Sequence, residues 1–431
     1  VEHSDARGGL SIAPLSSADS GSNQNWIFGA PWSTWLGDVS TDYDTAGNWD
    51  PPGVPGAAAR LLVDDPTELI MGQPHTVAEI VVGGSTNAVM TANAALMVTN
   101  AVTLARDGSL RLNQPGNVVS NDVLVVEGGC LTHSGNTATE VNKLDIAIRG
   151  NLRVDARGKI DVAGLGYAGN NGPGTPFPNP PSPNLYRCGG SHGGTGCRGA
   201  DAANGGIPGP TYGSVVAPTN LGSGGGQYQG VFCGGGGAVK LAVTGSTMLD
   251  GIIVADGTND LTTANSGGGG GSIWLTTSNL VGSGRIRANG GAGWADGPGG
   301  GGGRIAVYLT ASSNFGSVAM EACGGLFTNG SSSYCGAAGT IYRERSGDAA
   351  GHGELTVNNQ ERLPFRGETT DLNGLSPASY AFGALTLTNA GVLCIGPDDA
   401  LTLTGAVIRV DAADSNEGLR VAGGLLRVDP A

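Results

Sequence analysis

Three arginines and a scatter of aspartates are, by residue type, the side chains of this chain best suited to act on a ligand. Arg285, Arg287 and Arg304 stand in short strands at positions whose parity points them away from the apolar row, where they could line a groove. Asp256, Asp260 and Asp296 follow similar strands at similar places. A hydrolase acting on a polysaccharide needs two carboxylates flanking the scissile bond at a hydrolytic separation. A lyase needs a basic residue beside a calcium-held uronate. No set of carboxylates in the sequence meets either requirement, and arginines and aspartates on an exposed face serve solvation. The sequence therefore predicts no catalytic residue, with a polysaccharide lyase or glycoside hydrolase as the alternative.

Two stretches carry enough oxygen ligands for a hard cation such as Ca2+. In Asp256-Gly-Thr-Asn-Asp260 the candidates are Asp256, Asn259 and Asp260; in residues 411–417 they are Asp411, Asp414 and Glu417. Neither matches a known calcium-loop pattern, and the same residues serve equally as Asx turns. Calcium is the only cofactor the sequence raises. His133 and His192 stand alone and read as hydrogen-bonded loop histidines. The glycine runs lack the Lys-Ser/Thr ending of a phosphate-binding loop.

The cysteines form no CxxC pair. Cys188 and Cys197 bracket one glycine-rich loop and Cys323 and Cys335 another, so two local disulfides and an oxidising, extracellular setting are expected. Cys130, Cys233 and Cys394 remain as buried thiols.

The elements that must position these residues repeat. Of 431 residues 79 are glycine, without a collagen period. Glycine tracts run into apolar strands at Gly237, Gly271, Gly303 and Gly339, a period of about 34 residues that marks a solenoid. In each strand apolar residues alternate, so Val239, Ile273, Ile305 and Ile341 are expected to form one inward row. Helical repeats are excluded, because they need long stretches of 3.6-residue period. The tracts fall at one register, with Gly234 and Gly237, Gly267 and Gly271, Gly299 and Gly303 at their ends, and are expected to pack as extended, polyglycine-II-like threads.

Along the chain, residues 1–25 form a polar tail and possible assembly arm. Residues 26–75 hold Trp26, Trp32, Trp35 and Trp49, read as an aromatic cap, with a sugar-stacking platform as the alternative. Residues 76–165 are short alternating strands. Residues 166–232 are a Gly/Pro-rich insertion leaving the side of the solenoid. Residues 233–345 are the glycine-rich repeats and 346–431 return to plain strands. The sequence opens at Val1, as a processed chain would, and ends in mid-pattern. No apolar run is long enough to span a membrane. The formal net charge of −14 disfavours nucleic acid and anionic membranes as partners.

The segment from Gly47-Asn-Trp49 to Gly53-Val-Pro-Gly56, together with the GSGGG, GGGGGRIAVY and G-x-I-x-A-x-G motifs of residues 220–345, resembles glycine-rich right-handed parallel β-helix modules of large secreted bacterial surface proteins. The resemblance agrees with the repeat in implying an all-β, right-handed parallel β-helix, to which the residues themselves add stacked glycine loops and one long disulfide-pinned insertion. It implies little about activity. The function expected is that of an extracellular structural protein assembling head to tail into a surface or biofilm-matrix filament. The rival is a secreted carbohydrate-active or carbohydrate-binding protein with an extracellular polysaccharide as partner.

Overall fold

The computed structural model describes residues 32–177, 187–199, 206–226, 233–259, 266–293, 297–326, 335–364, 368–372, 379–410, 418–422 and 425–429. The polar tail 1–25, Trp26, Asp260, Asp296, Asp411, Asp414 and Glu417 lie outside them.

Alternating apolar residues make these segments strands. In Leu144–Ile148 the two isoleucines and the leucine are buried while Asp145 and Ala147 are not. Successive strands are dealt to three sheets in rotation. Glu79–Val82 lies in a nine-stranded sheet, Val89–Ala92 in an eight-stranded one and Leu96–Val98 in a twelve-stranded one. Val102–Leu104 then returns to pair with Glu79–Val82 in parallel. In the twelve-stranded sheet Leu144, Val239, Ile273, Ile305 and Ile341 are consecutive cross-strand partners. Residues of the three sheets pack into one apolar core whose members run from Trp35 to Ile341. Each buried Val, Leu or Ile contributes about 1.5–3 kcal/mol.

Aromatic residues close the N-terminal end of this core. Trp32–Trp35 pairs antiparallel with Trp49–Asp50 and parallel with Arg60–Val63. Trp35, Tyr43 and Trp49 are fully buried, with Trp49 edge-on to both neighbours at 5.1 and 5.2 Å. Their polar atoms are satisfied: Trp35 Nε1 donates to the Thr67 carbonyl, Trp49 Nε1 to Tyr43 and the Tyr43 hydroxyl to Pro55. Trp32 is half-buried beneath the Arg60 guanidinium, 4.1 Å from its ring centre.

The expected right-handed parallel β-helix with a disulfide-pinned insertion is corrected by this arrangement. The described residues form four sheets, of nine, eight, twelve and three strands, mostly but not wholly parallel, and no closed solenoid. The physical reason lies at the antiparallel pairing of Thr340–Glu344 with Glu354–Asn358. That hairpin reverses the chain, and Ser379–Thr388, Ala400–Val410 and Leu425–Asp429 then extend the twelve-stranded sheet in the reversed direction. A second core forms on the other face of that sheet. It includes Leu355, Val357, Phe382 and Leu385 together with Ala306 and Tyr342, residues that parity turns away from the first core.

The disulfides are absent. None of Cys188, Cys197, Cys323 and Cys335, nor of Cys130, Cys233 and Cys394, is in a disulfide. Each expected pair has its sulfurs engaged or shielded otherwise: Cys197 Sγ donates to the Arg198 carbonyl and Cys323 Sγ to Asn289 Oδ1. Burial raises the Cys188 thiol well above its ordinary range and pushes Cys323 up to about 11. The cysteine argument for an oxidising compartment therefore loses its basis.

Candidate functional site

The glycine tracts are ordered by hydrogen bonds that leave each thread in many directions. Gly267 through Gly271 donate in turn to the carbonyls of Pro298, Thr258, Ser223, Gly301 and Ala255. Four of their own carbonyls accept from Gly190, Gly291, Gly236 and Arg304 amides, and that of Gly270 from His192 Nδ1. A β-strand bonds to two neighbours; this thread bonds to segments on every side of it. Threefold extended chains with no internal hydrogen bonds can do this because successive amides point in different directions.

Only glycine fits there. A Cβ at Gly267 would stand 1.9 Å from the Gly291 carbonyl oxygen, and one at Gly271 1.9 Å from that of Gly237. At Gly299 and Gly303 it would meet the carbonyl oxygens of Gly325 and Gly271 at 2.0 and 2.1 Å. The rim is looser at Gly234, where the nearest oxygen, of Gly164, is 3.0 Å away; at Gly237 a Cβ would meet the ring of His133.

The stretch expected to leave the side of the molecule instead supplies threads to this lattice. Gly190 donates to Gly267, Gly193 and Gly194 to Gly302, and Gly222 to Gly236. Glycine and proline composition suggested a loop because those residues disfavour regular strands; the same composition suits closely packed extended backbone.

Arg304 shows what the second layer does to a residue whose parity faces outward. Its side chain is fully buried and donates to the carbonyls of Tyr212 at 2.8 Å, Asp371 at 3.2 Å and Leu372 at 3.3 Å, and to Thr340 Oγ1 at 3.3 Å. Among the described residues no carboxylate pairs with it, and burial lowers its pKa to about 10, so the guanidinium stays charged at neutral pH. It pins the strand Arg304–Leu309 to segments 212 and 371–372 and lines no groove. Nearby, His192 is fully buried, its Nδ1 proton donated to Gly270 and its ring 4.7 Å from Tyr212. Burial, helped by the Arg304 charge, drives its pKa down to about 3. His133 is driven by burial to about 4, with Nδ1 donating to Ser134 and Nε2 accepting from the Ala238 amide. Both histidines are neutral structural bridges.

Arg285 and Arg287 lie on the eight-stranded sheet. Arg287 Nε contacts Asp256 Oδ2 at 2.6 Å, and Arg285 reaches Glu321 at 3.8 Å. Asp256 Oδ1 accepts the Asn289 amide at 2.8 Å, and Asn289 Oδ1 in turn accepts the Cys323 amide at 2.9 Å. Asn259 Oδ1 accepts the Ala292 amide at 2.7 Å. These side chains tie one repeat to the next. Both carboxylate oxygens of Asp256 are engaged, and burial raises its pKa despite the pull of Arg287. Among the described residues no three His, Cys, Asp or Glu side chains gather as a metal-binding group.

A feature that residue-by-residue reading did not single out is a cleft on the outer face of the twelve-stranded sheet. Its volume is about 360 Å³, and its walls include Trp274, Tyr308, Glu344, Arg345, Ser346 and Asp348. A ladder of aromatic rings leads into it: Trp274 to Tyr308 at 6.4 Å, Tyr308 to Tyr342 at 5.6 Å and Tyr342 to Phe382 at 5.7 Å. Exposure grades along the ladder, from Tyr342 fully buried in the second core to Tyr308 and Trp274 half-buried at its margin. The spacing of Trp274, Tyr308 and Tyr342, one per repeat at outward positions, is the signal that could have found it.

No family model, curated protein or solved structure matches the chain.

Proposed function

We propose that the protein is a structural element that associates with copies of itself into a filament by adding a strand to an open sheet edge, in the setting outside the cell that the sequence resemblance implies. The observation that carries this reading is the outer strand of the twelve-stranded sheet. Leu425–Asp429 ends the strand order of the twelve-stranded sheet, paired in parallel with Ala400–Val410. Around it Ile408, Val410, Val421 and Leu425 are exposed at 41, 45, 47 and 61 %. A strand at the margin of a sheet beside exposed apolar side chains is a template for another strand.

Burial of Trp35, Tyr43 and Trp49 at the N-terminal end of the first core supports strand addition at one edge over the stacking of two open ends. Residues 1–25 are the segment assigned to donate the strand. Such a heterologous contact propagates as an open filament unless its rotation closes a ring.

Sedimentation and electron microscopy of the purified chain test this reading. The wild type is expected to form filaments with rising concentration, and Val421→Lys/Leu425→Lys to remain monomeric. A wild type that stays monomeric, or filaments that survive both this double substitution and deletion of residues 1–25, would overturn it.

A further inference from the structure

We propose that the cleft between Trp274 and the 344–348 loop binds a neutral pyranose sugar, with the Trp274 indole as its platform. The inference is independent of filament formation. A pyranose ring has an apolar C–H face and a rim of hydroxyls, and a site for it needs an aromatic surface beside fixed polar groups. The cleft has both. Its volume, about 360 Å³, is at the lower end of ordinary small-ligand sites and suits one or two sugar rings.

The polar groups are held in place while keeping hydrogen-bonding capacity. Glu344 Oε2 accepts the Tyr342 hydroxyl at 2.5 Å and the Gly351 amide at 2.7 Å. Asp348 Oδ2 accepts the Arg345 amide at 2.8 Å. The second oxygen of each carboxylate has no hydrogen-bond partner among the described residues. The Tyr308 hydroxyl donates to Val216 at 2.5 Å, fixing that ring. Arg345 reaches Glu354 Oε2 at 3.5 Å and lies over the Phe315 ring at 5.6 Å. Trp274 is steadied by Lys240, whose ammonium is 5.4 Å from the ring centre, and its Nε1 has no acceptor among the described residues.

Two observations separate this from a mere margin of the second core. The aromatic ladder ends on a half-buried indole that lines the cleft, an apolar surface left open at the margin of the second core. The loop opposite brings Glu344, Arg345, Ser346 and Asp348 to the same space. Two carboxylates against one guanidinium leave the cleft net negative, which disfavours a uronate and favours a sugar without charge.

Calorimetric titration of the intact chain with neutral gluco-, manno- and galacto-configured trisaccharides, and with a uronic-acid trisaccharide, tests the proposal. At least one neutral sugar is expected to bind at a single site, and the uronic-acid sugar more weakly. Trp274→Ala should weaken binding by about tenfold, equivalent to about 1.4 kcal/mol, and Trp274→Phe by less. Because Trp274→Ala could disturb the second core, Ser346→Trp, at an exposed loop position, serves as a blocking variant; it should abolish binding with an unchanged melting temperature. Absence of binding by every neutral sugar, preference for the uronic acid, or binding unaffected by Ser346→Trp would overturn the proposal.

Discussion

Leu241, Leu275 and Val307 fill the space between the three sheets with side chains, whereas a few residues earlier in the same repeats Gly236, Gly270 and Gly302 fill theirs with backbone alone. The first interior is held by apolar burial, which is non-directional and tolerates small changes of shape. The second is held by hydrogen bonds between carbonyls and amides at close approach. It has no side chains to rearrange, so any added atom falls on backbone. One repeat thus carries a forgiving half and an unforgiving half.

The largest test of that contrast is Gly268→Ala. The new methyl would stand 2.0 Å from the Gly234 carbonyl oxygen, and a loss of about 3 kcal/mol in denaturant unfolding is expected. Ile273→Val, in the same repeat, should cost only about 1 kcal/mol. Equal losses would dissolve the distinction between the two interiors. A smaller effect is expected at their junction. Arg304→Met leaves the carbonyls of Tyr212, Asp371 and Leu372 without their donor, but it also removes a buried charge; a net loss of about 2 kcal/mol should appear in the same assay.

The remaining effect is that of pH, where groups of opposite sign offset one another. His133 and His192 have folded-state pKa values of about 4 and about 3, below the ordinary 6.5, so between these values the unfolded chain binds more protons. Stability is therefore intact above about pH 6.5 and falls as pH drops toward the folded values, by about 1.4 kcal/mol per histidine at pH 5.5. The buried carboxyls of Asp256 and Asp371, whose pKa values are raised, act in the opposite sense as they take up protons. Melting temperatures from pH 7 to 5 should fall, and His133→Gln should flatten the slope. A flat wild-type profile would remove the histidines from the account.

Much of the strand plan was legible. Alternation in residues 238–243, 272–277 and 304–309 identifies the strands, and the common register of Val239, Ile273, Ile305 and Ile341 follows from the repeat. Parity also says correctly that Arg304, Trp274 and Tyr342 face away from the first core. It cannot say that another layer covers that face, because the reversal after Glu344 is set by the pairing of Arg343 with Glu354, not by a local turn signature. The same limit hid the role of residues 187–199 and 220–226, whose partners lie far along the chain. Spacing between cysteines suggested disulfides, but proximity in sequence did not bring their sulfurs together. Asp256 was recognised as a residue with a task; that its task is to join Arg287 and the Asn289 amide depends on cross-repeat geometry. The cleft needed both the outward aromatic positions and the fold-back of the 344–351 loop.

The glycine threads also bear on the order in which the molecule assembles. Their bonds join residues such as His192 and Gly270, 78 positions apart, and beside them Thr195 and Thr369, 174 apart. A thread makes no bonds within itself and belongs to the most conformationally free residue type, so ordering it early would lose much chain entropy with nothing gained in return. Sheet strands from neighbouring repeats, already apposed by their apolar rows, provide the frame on which the threads close. The lattice is therefore a late, cooperative seal. A chain caught before its closure would hold its sheets but leave the glycine amides open to exchange with solvent.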